Sequence, residues 1–172
     1  MLITIVVANQ KGGVGKTTTA LNLAASLSAA SRKVLLIDLD SQGNSTTGIG
    51  KEKAEGKNSL IDVLIEKEQI LDLIIQESGY KFDLIPASSD LISAEIELSP
   101  LINPTSILRS KLEQIKDKYD YTVIDCPPSL GMLSVSALRA ASRVLIPLQC
   151  EYYSLEGLAA MDKTIKEINQ AT

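Results

Sequence analysis

The chain has 172 residues and a formal net charge of -4; that is the length of about one domain, which at this size buries roughly 70% of its unfolded surface. It contains no histidine, which excludes Ser-His-Asp triads, histidine acid-base chemistry and histidine metal sites together. Its lysines are scattered instead of forming the basic stripe of a dedicated nucleic-acid binder, so any DNA contact has to be assembled in space.

Hydrophobic residues make up 45% of the chain but aromatic residues only 3%, so the core is built from Ile, Leu, Val and Ala, which suits strands covered by helices. In chain order, apolar runs occur at "LITIVVA" (2–8), "KVLLIDL" (33–39), "FDLIPA" (82–87), "YTVIDCP" (121–127) and "RVLIPL" (143–148). Runs apolar at nearly every position predict strands buried on both faces. Between them, 15–30, 58–76, 105–119 and 130–142 carry apolar residues at helical spacing, while 41–58 and 98–106 read as loops rich in polar residues, Gly or Pro. The expected architecture is α/β: one domain over 1–172 with a doubly wound, mostly parallel sheet and helices on both faces. The first run is too short to span a membrane and lacks the features of a signal peptide, so the chain reads as cytoplasmic. Cys126 and Cys150 form no CxxC and are expected to be ordinary buried thiols.

The chemistry concentrates at "NQKGGVGKTTT", Asn9 to Thr19, between the first strand and the first helix. Glycines there let backbone N–H groups of Lys11, Gly12, Gly13, Val14 and Gly15 close around an anion, and the following helix directs its positive dipole end at it. In such a phosphate-binding loop Lys16 reaches the β- and γ-phosphates of a nucleotide, Thr17 ligates Mg²⁺ and Thr18 bonds the α-phosphate. The common pattern G-x-x-x-x-G-K-[ST] requires glycine at position 10, where this chain has Gln10, and a second lysine, Lys11, stands at the loop's other end. Further along, "LLIDLDSQGN" ends a strand on Asp38 and Asp40, which share a face by alternation, and "YTVIDCPPSLG" carries Asp125 to a strand's carboxyl end, where ligands of open α/β sheets bind.

These segments, with "PLQCEYYSLEGL" (147–158), resemble the ParA/MinD family of deviant Walker A P-loop ATPases, and the last segment resembles the ParA/Soj branch in particular. The resemblance implies the P-loop NTPase fold, ATP and Mg²⁺ as ligands, slow hydrolysis with Lys11, Lys16 and Asp40 in the catalytic set, and Thr17, Asp38 and Asp125 around the metal. Asp40 would position the attacking water, and Asp38 would support either the metal shell or the switch. Lys11 would reach across a two-fold interface to the nucleotide of a second copy, giving a homodimer when ATP is bound. A ParB/Spo0J-like protein would stimulate hydrolysis, and non-specific DNA would be the surface bound, in plasmid or chromosome segregation on the nucleoid. The resemblance covers nearly the whole chain but only part of a family member: the adenine-contacting segment and the DNA-binding C-terminal region are expected beyond Thr172, and no helix-turn-helix precedes the loop. A MinD-like ATPase would differ by an amphipathic membrane helix, an iron-sulfur carrier by paired cysteines, and a dethiobiotin-synthetase-like enzyme by lacking the 38–44 and 147–158 segments.

Overall fold

The computed structural model describes residues 2–54, 59–65, 68–76 and 80–170. In chain order it contains β1 (Ile3–Val7), α1 (Lys16–Ala29), β2 (Val34–Asp38), α2 (Asn44–Gly48), α3 (Leu60–Leu64), β3 (Asp83–Ile85), α4 (Ala94–Leu98), α5 (Pro104–Glu113), β4 (Tyr121–Asp125), α6 (Met132–Ala140), β5 (Arg143–Leu145) and α7 (Tyr152–Gln170), with 3₁₀ turns at Ile70–Leu73 and Ser89–Ser93. The strands form one sheet in the order β3-β2-β4-β1-β5, and every pairing is parallel. The doubly wound α/β expectation therefore holds; outside the five strands, Ile75 makes an isolated antiparallel bridge to Leu84 of β3.

Alternation along the strands feeds two apolar layers. Leu35 and Ile37 of β2 join Val6 and Ile124 in a core with α3, α5 and α6. Val34 and Leu36 face the other way and join Val7, Val123 and Leu84 against Ala20 and Ala24 of α1. Ala20 and Ala24 are four residues apart on one helical face, and both are fully buried; small side chains there let α1 lie close on the sheet. Because β1 sits between β4 and β5, the strand order reverses beside it, and the carboxyl ends of β1, β2 and β4 open onto the crevice that such a reversal creates.

Five expectations from the sequence need correction. The 58–76 stretch is not one helix: α3 is five residues long, starts at a capping box between Ser59 and Asp62, and is followed by a separate 3₁₀ turn. Leu60, Ile61, Val63 and Leu64 are all buried, so the run is apolar on every side because it is inserted in the core. The polar stretch 41–58 contains α2, and Pro104 opens α5 from within the stretch 98–106 read as loop. The last strand stops at Leu145, because Pro147 cannot continue a ladder. The chain has thus left the sheet before Cys150, which is exposed, whereas Cys126 is buried as expected. Among the described residues no helix is long and apolar enough to cross a membrane.

Candidate functional site

The loop between β1 and α1 is held open and pinned at both ends. Gly13 and Gly15 have φ of +73° and +90°, left-handed values that only glycine adopts without strain. A Cβ added at Gly12, Gly13 or Gly15 would meet nothing within 4 Å, so the cradle is free for a ligand to enter. No side chain caps the first turn of α1, which leaves its N–H groups available to an anion. Asn9 fastens the loop's start: its Nδ2 donates to the Pro147 carbonyl at 2.8 Å, and its Oδ1 accepts the Lys11 N–H at 3.0 Å. Lys16 is only 8% exposed, and its Nζ donates to the Lys11 carbonyl at 3.1 Å, so its charge is poised under the loop.

Beside the loop, a cleft of about 480 Å³ is lined by Gly12, Gly13, Gly15, Lys16, Thr17 and Thr18, and across from them by Asp40, Gln42, Asn44 and Pro128. The segments brought together are those singled out in the sequence, with Gln42, Asn44 and Pro128 as additions. Val14, Lys11, Asp38 and Asp125 do not line this cleft.

Asp38 and Asp125 are partners across the β2–β4 ladder, which places two carboxylates side by side under α2. Asp38 Oδ2 accepts the Thr46 N–H at 2.8 Å and the Thr46 O–H at 2.7 Å, while Oδ1 accepts the Asp40 N–H at 3.3 Å. Burial pushes its carboxyl up to about 6, against those donors and with the adjacent Asp125 adding to the rise. Both oxygens of Asp38 thus accept hydrogen bonds, from α2 and from the turn that follows β2. Two residues on, past the end of β2, Asp40 Oδ1 accepts the Gln42 N–H at 3.0 Å, and Asp40 is half-buried and lines the cleft.

Asp125 differs in one respect that bears on metal binding. Its Oδ2 accepts the Ser45 hydroxyl at 2.7 Å, but its Oδ1 is buried without a hydrogen-bond partner. Burial raises its carboxyl above the usual range, with Ser45 and more weakly Thr17 acting the other way. An orphaned buried oxygen is costly unless something else satisfies it. A cation or its bound water between Asp125 and the Thr17 hydroxyl would do so. Mg²⁺ is an ion that takes one or two protein ligands beside phosphates and water, and the Thr17 hydroxyl with Asp125 Oδ1 offers that donor set.

Lys11 forms an ion pair with Glu151, in the segment joining β5 to α7; their side chains are 42% and 43% exposed. The sequence quoted that segment but did not single out Glu151. Asn9, Ser45 and Thr46 were missed too, because Asn, Ser and Thr beside glycine read as loop chemistry.

A family model described as an AAA domain (AAA_31) matches residues 2–172, and the chain is 47% identical over 166 residues to the sporulation initiation inhibitor protein Soj of Bacillus subtilis. The chain belongs to the ParA/Soj type of this family. The same family includes the Myxococcus xanthus chromosome partitioning protein ParA, to which it is also 47% identical. The matches cover 96% of this chain but 66% of the Soj protein and 59% of the Myxococcus one, so the chain spans under two thirds of the length of these relatives. Among solved structures it superposes on cobyrinic acid a,c-diamide synthase from Mycobacterium smegmatis, with bound ATP analog and magnesium, at a TM-score of 0.93 and 36% identity, over 99% of this chain and 69% of that one. A putative plasmid partition protein from Borrelia burgdorferi bound to AMPPNP gives 0.86 and 31%, over 98% and 70%.

Proposed function

We propose that this ParA/Soj-type chain binds Mg-ATP in the cleft beside the β1–α1 loop, hydrolyzes it slowly, and dimerizes in the ATP-bound form, as the timing component of plasmid or chromosome segregation. The observation that carries this reading is the conjunction, at one sheet end, of an open glycine cradle, the buried Lys16 cation, and the orphaned oxygen of Asp125 near Thr17. The loop amides and Lys16 hold the β- and γ-phosphates, and Thr18 bonds the α-phosphate. Thr17 and Asp125 hold Mg²⁺, which when bound neutralizes charge developing on the phosphates. Asp40 lines the cleft opposite the loop and orients the attacking water. Asp38 keeps α2 against the sheet through Thr46, so that Gln42 and Asn44 stay at the cleft wall. Lys11 completes the site of a second copy, which requires it to leave Glu151. A ParB/Spo0J-like partner stimulates turnover, and non-specific DNA is bound through the further C-terminal region that longer relatives have.

Phosphate release from Mg-ATP tests the reading. Asp40→Ala should retain binding of a fluorescent ATP analog and lose hydrolysis, and equal turnover by variant and wild type would refute the role of Asp40. The likeness to cobyrinic acid a,c-diamide synthase favors a second reading, ATP-driven modification of a small molecule; the higher identity to Soj weighs against it. ATP turnover without any small-molecule acceptor separates the two.

A further inference from the structure

The end of the sheet opposite the loop gathers positive charge that the sequence disperses. β3, β2 and β4 lie side by side and parallel, with Leu35 opposite Asp83 and Val34 opposite Tyr121, so the segments entering them arrive at one place. Each entry is basic: Arg32 and Lys33 precede β2, Lys81 precedes β3 and Lys118 precedes β4. These four cations line a hollow of about 290 Å³ together with Asp83 and Tyr119. Two acids beside it accept hydrogen bonds from neutral donors: Asp83 Oδ2 accepts the Tyr119 O–H at 2.6 Å, and Asp120 Oδ2 accepts the Lys33 N–H at 2.9 Å. All four cations are exposed, and among the described residues none of them makes an ion pair.

The backbone framing the hollow is also unusual. Ser31 and Lys81 have φ of 60° and 62°, in the left-handed region that side chains other than Asn and Asp seldom occupy. Both turns are tied to the end of α1: the Ser28 hydroxyl donates to the Lys81 carbonyl, and Ser31 N–H donates to the Ser28 carbonyl at 2.9 Å. Four cations against the one carboxylate of Asp83 leave the hollow with an excess of positive charge, and an anion seated among them offsets it. A guanidinium with three ammonium groups suits a multiply charged oxyanion better than a single carboxylate.

We propose that this hollow is a second anion site, which takes phosphate groups of a polyanion independently of the β1–α1 loop. Strands of five residues separate the two ends, roughly 16 Å at the usual rise, so both sites can be filled at once. The inference needs neither ATP hydrolysis nor dimerization. The shared chemistry is a chain of phosphates, from a nucleic-acid backbone or from inorganic polyphosphate.

The test uses the 172-residue chain saturated with Mg-ADP. Tripolyphosphate binding is measured by calorimetry and random-sequence duplex binding by anisotropy at two salt concentrations. A Lys33→Gln, Lys81→Gln, Lys118→Gln variant, saturated in the same way, should bind tripolyphosphate at least tenfold more weakly. If duplex affinity falls in the same triple variant, with the salt slope reduced by about 0.9 for each phosphate no longer neutralized, the source is nucleic acid; a response to tripolyphosphate alone identifies a free phosphate compound. Should the triple variant melt early, Lys81→Gln and Lys118→Gln singly carry the same test with smaller effects. Absence of binding by the ADP-saturated wild type, or equal binding by a folded triple variant, overturns the proposal.

Discussion

Lys16 and Lys11 flank one loop, five positions apart and joined by the Lys16 bond to the Lys11 carbonyl, yet they live in different environments. Lys16 is 8% exposed and grips the loop's own backbone. Lys11 is held by Glu151, a partner half in solvent, from a segment that lies beyond the short edge strand β5. Exposed ion pairs contribute about 0 to 1 kcal/mol, so the Lys11 contact can be surrendered, whereas removing a charge from a desolvated phosphate site costs several times more. The contrast is one of commitment: the buried lysine is fixed under its own loop, and the exposed one is held by a contact it can give up, as the proposed role toward a second copy requires.

Lys16→Ala should produce the largest change. Loss of a charge-assisted contact in a desolvated site typically costs about 2 to 5 kcal/mol, so affinity for a fluorescent Mg-ATP analog should fall by at least about tenfold. Unchanged affinity would dissolve the contrast by removing the buried lysine from the ligand.

The second test sharpens what burial does at this end of the sheet. Asp38 ionizes near 6 in the folded chain, against 3.8 ordinarily, so the folded state favors the protonated form. Its stabilizing contribution is full below about pH 4 and is lost as pH rises through 6, worth on the order of 3 kcal/mol; Asp125, also raised, acts in the same direction. Thermal melts of the ligand-free chain at pH 5 and pH 7.5 should differ less in Asp38→Asn than in the wild type. An identical pH dependence would mean that Asp38 is not buried as a charged group under α2.

A third change acts on the cradle between the lysines. Gly15→Ala forces a Cβ onto a φ of +90° and should destabilize the chain by about 1 to 2 kcal/mol, read as a lower melting temperature. The smallest effect belongs to Glu151→Gln: stability should change by under about 1 kcal/mol, while Lys11 is released and the ATP concentration needed for half-maximal dimerization falls. A rise in that concentration would show Glu151 helping Lys11 instead of restraining it.

How much of this was legible in advance follows from sequence distance. The loop of 9–19 was readable because its glycines, lysines and threonines act within one strand-turn-helix unit, and the strands were readable because burial on both faces leaves unbroken apolar runs. The supports of the site were not. Ser45 reaches Asp125 across 80 positions and Asn9 reaches Pro147 across 138, and nothing in "GNSTT" distinguishes a helix tied down by carboxylates from a polar loop. Alternation is a rule for strands, and β2 ends at Asp38, so it does not place Asp40, which lines the cleft while Asp38 does not. The basic hollow at the far end escaped notice for the same reason, since only parallel pairing unites Arg32, Lys33, Lys81 and Lys118.

The central claim, that Lys16 serves its own nucleotide and Lys11 that of a second copy, is tested most directly by sedimentation velocity with Mg-ATP on wild type, Lys11→Ala and Asp40→Ala. The account predicts an ATP-dependent dimer for wild type and Asp40→Ala, and a Lys11→Ala chain that binds the fluorescent analog with near-normal affinity but remains monomeric. A Lys11→Ala chain that dimerizes with ATP as the wild type does would contradict it.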